Sequence, residues 1–554
     1  MSVKVAEHIR ERLRAWGVEQ VFSRPGDEET AALEAVGHAR SGSRLGVCAA
    51  TTGPGAVRLL NGLSVAGPDH VPVLALIGET DPHGLRVDMT FGFVRAVTEP
   101  GRLPDVIDEA VRTAYARRCP TAVIVPGDVD VRALARAPLG PASESAAPDP
   151  ATPAGPPSPE DLRRAADVLN AGDKAAVLIG QGAAGARAEV EEIAELLGAG
   201  VAKTLLAKDA LSDELPGVTG VIGPLGTRPS YELMRDCDTL LTVGSSLPPA
   251  RFLPGAEPVR AVRIDIEPLP AGNGRPDEAG AYEAGAYEAG LVGDAGATLR
   301  ALIPLIDGER RGVRHEWRDE IRAGMTRWRD VLRRRAELSA DPVNPEYVAH
   351  VLDRLLPKNT VLTCDSGPVA AWCARHLTLR DGMRAVLPGT PDTSGCGLPY
   401  AIGAKYAHPD RPVIALVGDG TTRLDGMAEL ADAAACGGRW DDPRLVVAVW
   451  HERDPGTPYA EIARSLGLTG VLVERPGEVE DAWRTALAAD GPTVVDFRTD
   501  PAVRPVPPHA TWGQFEAAAA AVLRGEAGPA AVKQGLKAKV QEFLPGDGGG
   551  DSRD

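Results

Sequence analysis

The chain has 554 residues, of which 44% are hydrophobic and 25% are charged, and its formal net charge is -17 at pH 7. A chain of this length exceeds one hydrophobic core, so about three domains are expected. The acidic balance argues against a nucleic-acid partner, because phosphate backbones are bound by basic surfaces.

The N-terminal stretch, MSVKVAEHIRERLRAWGV, predicts an amphipathic helix and is not typical of a signal peptide. No apolar run of the chain is long enough to span a bilayer. The 7 cysteines are widely spaced and form no C-x-x-C pair, so neither a disulfide framework nor a zinc site is expected. We therefore expect a soluble, cytoplasmic protein with reduced cysteines and no membrane partner.

Two breaks in composition divide the chain. The first is dense in Pro, Ala and Ser, which is typical of a linker. The second is highly charged and indicates a solvated helical connector. The predicted division is an N-terminal domain at 1–136, the linker at 137–160, a central domain at 161–306, the connector at 307–341, a C-terminal domain at 342–524 and a tail at 525–554.

Short runs rich in Val, Ile and Leu alternate with stretches of helical period. The runs, in chain order, are LGVCAAT, VPVLALIG, TAVIVPGD, KAAVLIG, TLLTVGS, AVRIDIEP, NTVLTCDSG, RPVIALVGDG, RLVVAVW and PTVVDFRT. Continuous apolar strands separated by helices are typical of parallel sheets that are covered on both faces. The sequence therefore predicts an α/β protein with three doubly wound parallel-sheet domains. Near the N-terminus, a single helix that begins near Glu28 separates VEQVFS from RLGVCAAT, so we expect these segments to be adjacent or near-adjacent parallel strands.

A glycine-rich turn follows the first apolar run of the central domain. Gly180 to Gly185 spell G-x-G-x-x-G between a predicted strand and a predicted helix, which is the context of dinucleotide binding. The next strand, GVAKTLL, ends without the acidic residue that would hold a ribose hydroxyl. The pattern favours a structural turn over a flavin or nucleotide site, and both interpretations remain open.

The run VIALVGDG places Gly418, Asp419 and Gly420 at the carboxyl end of a predicted strand, where open α/β sheets bind ligands. Glycines at such a point allow the backbone to approach a phosphate, and an aspartate can hold the accompanying Mg²⁺. The next predicted strand, RLVVAVW, is followed directly by His451.

Several segments, in this order, resemble the thiamine-diphosphate (ThDP) enzymes of the acetolactate synthase and pyruvate oxidase type. They are ERLRAWGVEQVFSRPGD, GVCAATTGPGAVRLLNGL, DHVPVLALIGE, VTGVIGPLGTRPSYELMRDCDTLLTVGSS, GLPYAIGAKYAHPDRPVIALVGDG and LKAKVQEFLP, and they extend over nearly the whole chain. The resemblance implies a pyrimidine-binding N-terminal domain, a central domain that binds FAD in some members, and a diphosphate-binding C-terminal domain. It also implies a homodimer or homotetramer that decarboxylates a 2-oxo acid through a ThDP ylide and then transfers or oxidises the carbanion.

The resemblance assigns cofactor and metal residues in the C-terminal domain. Gly418 to Thr421 match the family's cofactor-binding segment, in which Asp419 ligates Mg²⁺. The family has a paired Asn-Asn at the end of the next strand, whereas this chain has Glu452 and Arg453. Arginine has no acceptor atom, so Arg453 cannot ligate Mg²⁺. Two interpretations remain open: the Arg453 guanidinium replaces the metal and binds a phosphate directly, or it closes an abandoned site.

The chain also departs from the family around the cofactor. Only the residues PGT follow Asp454 where the family has a flap over the cofactor, and an uncovered site stays wet. In the segment GTPDTSGCGLPYAIG, Ser394 precedes Gly395 and stands where the family carries a bulky apolar residue that bends the cofactor. Serine is too small for that role.

The N-terminal domain is shorter than its family counterpart by one helix and one strand. By local match, Glu28 takes the place of the glutamate that activates the cofactor, and Asp27 replaces the preceding histidine. The loss of a strand would displace Glu28 by about one strand spacing, ~4.8 Å, which is too far for proton chemistry. The alternative is that the acidic segment simply begins a helix.

These matches and departures favour a divergent homologue of the 2-oxo acid decarboxylase, carboligase and oxidase type with weak, altered or absent ThDP chemistry. ThDP with Mg²⁺ is the cofactor set implied for an intact site, and FAD is not favoured. The alternatives are an active ThDP lyase or transferase on pyruvate-like 2-oxo acids, a non-catalytic partner subunit, and a flavin or nucleotide binder.

Overall fold

The structure is a computed structural model. It describes residues 5–50, 53–78, 91–125, 157–245, 250–252, 259–268, 287–308, 315–389, 393–422, 426–451, 457–524 and 529–544. Three parallel sheets lie among these residues and confirm the predicted α/β fold with three doubly wound domains. Each apolar run quoted above overlaps one of the parallel strands.

The N-terminal domain holds a 4-stranded sheet with the order β1-β2-β4-β3. Its elements are α1 (Val5–Ala15), α2 (Glu28–Gly42), β1 (Gly46–Ala50), α3 (Gly53–Leu63), β2 (Val73–Gly78), β3 (Phe93–Ala96), α4 (Leu103–Arg117) and β4 (Pro120–Val125).

The segment before α2 extends this sheet by a single residue. Phe22 forms a parallel bridge with Cys48 of β1. Its amide donates to the Val47 carbonyl at 2.9 Å, and the Ala49 amide donates to the Phe22 carbonyl at 2.9 Å. The prediction that VEQVFS and RLGVCAAT are adjacent and parallel, with one helix between them, is therefore confirmed. A short turn follows this bridge, and α2 begins at Glu28.

The central domain holds a 6-stranded sheet with the order β10-β9-β8-β5-β6-β7. Its elements are α5 (Pro159–Asn170), β5 (Ala175–Ile179), α6 (Arg187–Leu197), β6 (Gly200–Lys203), β7 (Val218–Val221), α7 (Arg228–Asp236), β8 (Thr239–Val243), β9 (Arg260–Asp265), β10 (Ala289–Val292) and α8 (Ala295–Leu302). The helix α9 (His315–Ala336) follows within the predicted connector.

The C-terminal domain holds a 6-stranded sheet with the order β12-β11-β13-β14-β16-β15. Its elements are α10 (Pro345–Leu355), β11 (Val361–Cys364), α11 (Pro368–His376), β12 (Arg384–Val386), α12 (Gly397–Ala407), β13 (Val413–Gly418), α13 (Asp419–Thr422), α14 (Gly426–Cys436), β14 (Leu445–Trp450), α15 (Tyr459–Ser465), β15 (Thr469–Val473), α16 (Val479–Leu487) and β16 (Thr493–Phe497). The helices α17 (Trp512–Leu523) and α18 (Pro529–Val540) follow.

Two stretches differ from their predicted character. The described end of the linker is helical, because α5 begins at Pro159 with the Ser158 hydroxyl capping it through the Asp161 amide at 3.1 Å. The predicted tail contains α18, and Glu542 just beyond this helix accepts from Arg335 of α9 at 2.6 Å. The tail therefore docks on the connector. None of the helices in the described ranges combines the length and hydropathy needed to cross a bilayer.

The N-terminal and C-terminal domains are joined by α2 and α12. Helix α2 is buried along most of its length, because it packs on β1 and α3 on one side and on α12 on the other. Glycines permit the close approach: a Cβ on Gly37 would lie 2.5 Å from the Tyr400 Cα, and one on Gly403 would lie 2.0 Å from the Glu34 carbonyl oxygen. This contact holds the two domains that carry the predicted site residues.

Candidate functional site

The carboxyl ends of three neighbouring strands in the C-terminal sheet converge. Gly418 at the end of β13 pairs in register with Trp450 at the end of β14, which pairs in turn with Phe497 at the end of β16. The residues that follow these ends are Asp419, His451 and Arg498. Because the strands are parallel, all three leave the sheet at the edge where open α/β folds bind ligands.

His451 is the centre of this group. Its Nε2 lies 2.6 Å from the Asp496 Oδ1, and its Nδ1 lies 3.7 Å from the Asp419 Oδ2. The Nη1 of Arg498 lies 3.3 Å from the same Nδ1. A guanidinium can only donate, so Nδ1 is the acceptor and Nε2 carries the hydrogen that is donated to Asp496. Both ring nitrogens of His451 are therefore engaged.

The group is buried and tied to its surroundings. Asp419 and Asp496 are both 0% exposed. The second Asp496 oxygen accepts from the Ala460 amide at 3.2 Å and from the Arg498 Nη2 at 3.3 Å. The Tyr459 hydroxyl donates to the Asp419 carbonyl at 3.1 Å, which brings the start of α15 against this edge of the sheet. The result is a buried polar network that links β13, β14, β16 and α15.

Glu28, the predicted activating glutamate, lies at the first position of α2 and is 3% exposed. One carboxylate oxygen accepts from the Gly26 amide at 3.1 Å, and the other accepts from the Arg58 Nε of α3 at 2.8 Å. Burial raises the pKa of Glu28, but the hydrogen bond from Arg58, the backbone amides and the Arg58 charge outweigh it and leave the pKa below its ordinary value. Both oxygens are thus committed within the N-terminal domain.

The other predicted cofactor-binding residues are placed as follows. Ser394 is exposed in the turn before α12, where Gly395 has a φ of 77°, a left-handed conformation that favours glycine. Asp365 holds this turn near the end of β13, because it accepts from the Gly397 amide at 2.7 Å and from the Gly418 amide at 3.4 Å.

The segment from Gly418 to Thr421 passes from the end of β13 into α13, with Asp419 and Gly420 in the first turn of that helix. The interpretations of Glu452 and Arg453, including metal replacement by Arg453, concern residues 452–456, which lie outside the described residues.

Sequence reasoning assigned no role to His451, Asp496, Arg498 or Arg58. Asp496 carried a usable signal, because it is a carboxylate inside the otherwise apolar run of β16. A charged residue in such a buried strand needs a partner, and here the partners are His451 and Arg498. Arg58 gave no comparable signal, since it lies in a helix whose sequence does not indicate its partner.

The glycine-rich turn of the central domain has a packing function. Gly180 and Gly182 lie against Gly244, which follows β8. A Cβ on Gly180 would lie 2.1 Å from the Gly244 carbonyl oxygen, and one on Gly182 would lie 2.8 Å from the Gly244 Cα. The strands β5 and β8 are neighbours at the point where the strand order reverses. The close backbone contact supports the interpretation of this turn as structural.

Three family models match the chain. They are the thiamine pyrophosphate enzyme central domain at 162–302, the C-terminal TPP binding domain at 365–440 and the N-terminal TPP binding domain at 26–90. The chain is also 30% identical over 573 aligned positions to "Putative thiamine pyrophosphate-containing protein YdaP" of Bacillus subtilis (strain 168), which covers 93% of this chain and 95% of that relative. The chain belongs to the thiamine pyrophosphate enzyme family.

Named enzymes of this family are more distant. Pyruvate oxidase of Lactiplantibacillus plantarum is 28% identical, over 76% of this chain and 73% of its own length. Acetolactate synthase of Arthrospira platensis is 27% identical, over 85% of each chain. A solved structure titled "X-ray structure of a putative thiamin diphosphate-dependent enzyme isolated from Mycobacterium smegmatis" has a TM-score of 0.70 at 21% identity, over 90% of this chain and 100% of that chain. That likeness shows the shared fold.

Because the chain belongs to this family, we compare the group at the strand ends with an Mg²⁺ site. The group consists of Asp419, His451, Asp496 and Arg498. Mg²⁺ prefers near-octahedral oxygen ligands. Asp419 offers such oxygens, but the side chain beside it is the His451 imidazole, whose Nδ1 already accepts from Arg498. Across the described ranges, no group of three or more His, Cys, Asp or Glu side chains is arranged to hold a metal ion. The described residues do not fit the magnesium site of the family.

Proposed function

We propose that this protein is a divergent homologue of the 2-oxo acid decarboxylases, carboligases and oxidases, with ThDP chemistry that is weak, altered or absent. The observation that carries the proposal is the ion pair between Glu28 and Arg58, at 2.8 Å from Nε to Oε2. In the family, the residue at the position of Glu28 activates the cofactor by hydrogen bonding to its aminopyrimidine ring.

Activation of this kind needs a carboxyl group that can share a proton with the ring. Glu28 is poorly suited, because one oxygen is held by the Gly26 amide and the other by Arg58. The lowered pKa of Glu28 further disfavours the protonated form of its carboxyl group. The geometry supports a helix-starting ion pair at this position and gives no support to a proton-sharing group.

The match of both outer domains to TPP binding domains supports an ancestry with ThDP bound between them. Relatives named pyruvate oxidase and acetolactate synthase make pyruvate-like 2-oxo acids the substrates to test. We also propose a homodimer or homotetramer, which light scattering on the purified protein would measure.

The test is ThDP binding by titration calorimetry with Mg²⁺, followed by pyruvate turnover. We expect little or no turnover, and we expect any residual rate to be unchanged in Glu28→Gln, since Glu28 does not act on the cofactor. Glu29→Gln is the matched control, because Glu29 lies next along α2 and pairs with Asn61 at 2.6 Å. Tight, strictly Mg²⁺-dependent ThDP binding with turnover that Glu28→Gln abolishes would overturn the proposal.

A further inference from the structure

We infer that Arg498 and His451 take the place of a divalent cation beside Asp419, so that this edge of the C-terminal sheet is a metal-free polar core. The inference rests on the proposed function, because it concerns the diphosphate half of the same site. Arg498 and His451 would replace the metal in this half of the site and stabilise it.

The strand-end group carries negative charge in a buried place. Two carboxylates, Asp419 and Asp496, are completely buried at the ends of β13 and β16, the two strands that flank β14. Buried carboxylates need compensating positive charge or hydrogen bonds. Arg498 brings a permanent positive charge, which lies 3.3 Å from Asp496. A divalent ion is therefore not required to compensate Asp496.

Arg498 is held in place by three hydrogen bonds. Its Nη1 donates to the His451 Nδ1 at 3.3 Å, and its Nη2 donates to the Asp496 carboxylate at 3.3 Å and to the Thr457 carbonyl at 3.4 Å. These contacts come from β16 itself, from the residue after β14 and from the residues before α15. The Arg498 guanidinium is thus held beside the His451 imidazole.

The hydrogen bonds of His451 also argue against a bound metal. A carboxylate behind a histidine is the usual support of a metal-binding imidazole, and Asp496 provides that support at 2.6 Å. A histidine and an aspartate together would suit a transition metal better than Mg²⁺. However, the lone pair of Nδ1, which would face such a metal beside Asp419, already accepts from Arg498. A bound metal would also lie close to the guanidinium and be repelled by it.

The experiment measures metal binding directly. Thermal unfolding is followed with EDTA, Mg²⁺, Mn²⁺ or Zn²⁺, and Mn²⁺ binding is followed by titration calorimetry. We expect the unmodified protein to have the same Tm in all four conditions and to show no saturable Mn²⁺ binding. We expect the double variant His451→Asn/Arg498→Gln, which restores an oxygen ligand and removes the competing charge, to gain stoichiometric Mn²⁺ binding.

Two controls define the site. Adding Asp419→Ala to the double variant should remove the gained binding. The matched control is Arg444→Gln, which should gain no metal. It breaks another arginine–aspartate pair, just before the start of β14, where Arg444 donates to Asp442 at 2.8 Å. The inference is overturned if the unmodified protein binds Mg²⁺, Mn²⁺ or Zn²⁺ in a manner that Asp419→Ala abolishes, or if the folded double variant gains no metal.

These outcomes are separable from the proposed function. Pyruvate turnover in EDTA would overturn the proposed function and leave the metal-free core intact. Metal binding through Asp419 in a protein without turnover would overturn the inference and leave the proposed function intact.

Discussion

Thr30 of α2 donates a 2.8 Å hydrogen bond to Glu429 of α14, and this bond crosses the interface between the N-terminal and C-terminal domains. Glu429 is 1% exposed, and its second carboxylate oxygen has no hydrogen-bond partner within the described residues. Burial, with a smaller contribution from the Asp27 charge, raises the pKa of Glu429, and the Glu429 amide, Thr30 and Arg24 lower it. The net pKa is about 7. The interface therefore holds a carboxyl group that titrates near neutral pH.

We predict that this carboxyl makes the stability of the protein fall as the pH rises. The pKa of Glu429 in the folded protein is about 7, above its ordinary value of 4.5, so the folded state binds the proton more tightly. Its contribution to the free energy of unfolding is complete below the ordinary value and is lost as the pH rises through about 7. The loss is at most ~3 kcal/mol.

The measurement is chemical unfolding of the unmodified protein and of Glu429→Gln between about pH 5 and about pH 8. Glutamine keeps the acceptor for Thr30 and cannot ionise, so the stability of the unmodified protein relative to this variant should fall as the pH rises. Glu28→Gln is a control whose difference from the unmodified protein should not change over this pH range. Because the pKa of Glu28 is lower in the folded protein, its carboxylate stabilises the protein at pH values above its ordinary pKa of 4.5. This stabilisation is lost only as the pH falls through the pKa that Glu28 has in the folded protein. A difference between the unmodified protein and Glu429→Gln that does not change with pH would contradict the prediction.

We predict that a methyl group at the α2–α12 contact destabilises the protein. In Gly403→Ala the new Cβ would lie 2.0 Å from the Glu34 carbonyl oxygen, which is backbone and cannot rotate away. Overpacking of this kind costs ~1–3 kcal/mol or more, measured as the change in the free energy of unfolding. Gly513→Ala is the matched control, because Gly513 is also helical and has nothing within 4 Å of its added Cβ. Equal stabilities of the two variants would show that the helices do not approach as closely as described.

The sequence located the inner strands of each sheet but missed several edge strands. The missed strands are β3, β7, β10, β12 and β15, and each lies at an edge of its sheet. An edge strand has a partner on one side only and is often short or partly exposed, as in β3 and β12. Such strands lack the long Val, Ile and Leu runs that indicate a strand covered on both faces.

The candidate site was predictable only in part, for a similar reason. Asp419 could be placed because it follows an apolar strand and lies between glycines. Its neighbours could not, because β16 joins β14 in the sheet although β15 lies between them in the chain. The contact between His451 and Asp496 spans 45 residues. Strand order, which local sequence does not specify, decides which side chains meet.

We predict that the purified protein is colourless and gains no thermal stability from FAD. Beside the turn at Gly180 and Gly244 lies a cleft of about 150 Å³. Its charged lining residues are three acids and two arginines, namely Asp265, Glu267, Asp294, Arg118 and Arg263. The acids outnumber the arginines, and Arg263 is already paired with Asp265 at 2.9 Å, so the cleft does not favour the diphosphate of a dinucleotide. The measurements are the visible absorbance spectrum after desalting and the Tm with and without FAD. A protein that stays yellow with a flavin band would show that the central domain binds the cofactor.

The last prediction compares two arginines that follow neighbouring strands, Arg453 and Arg498. Arg498→Ala removes the only cation described beside the buried Asp496, so we expect a loss of ~3–5 kcal/mol in the free energy of unfolding. Arg453→Ala is expected to cost ~0–1 kcal/mol, as for an exposed ion pair, if Arg453 merely closes an abandoned site. Denaturant unfolding of the two variants measures both values.

ThDP titrations in EDTA and in Mg²⁺ then test the other interpretation of Arg453. If its guanidinium replaces the metal, ThDP should bind equally in both buffers and Arg453→Ala should abolish that binding, because the cation that holds the diphosphate would be gone. If another oxygen completes a metal site, binding should require Mg²⁺ and fall in Asp419→Ala. We expect neither pattern, because Arg498 already supplies a cation at this edge of the sheet and, among the described residues, the side chain beside Asp419 is His451, whose Nδ1 accepts from Arg498.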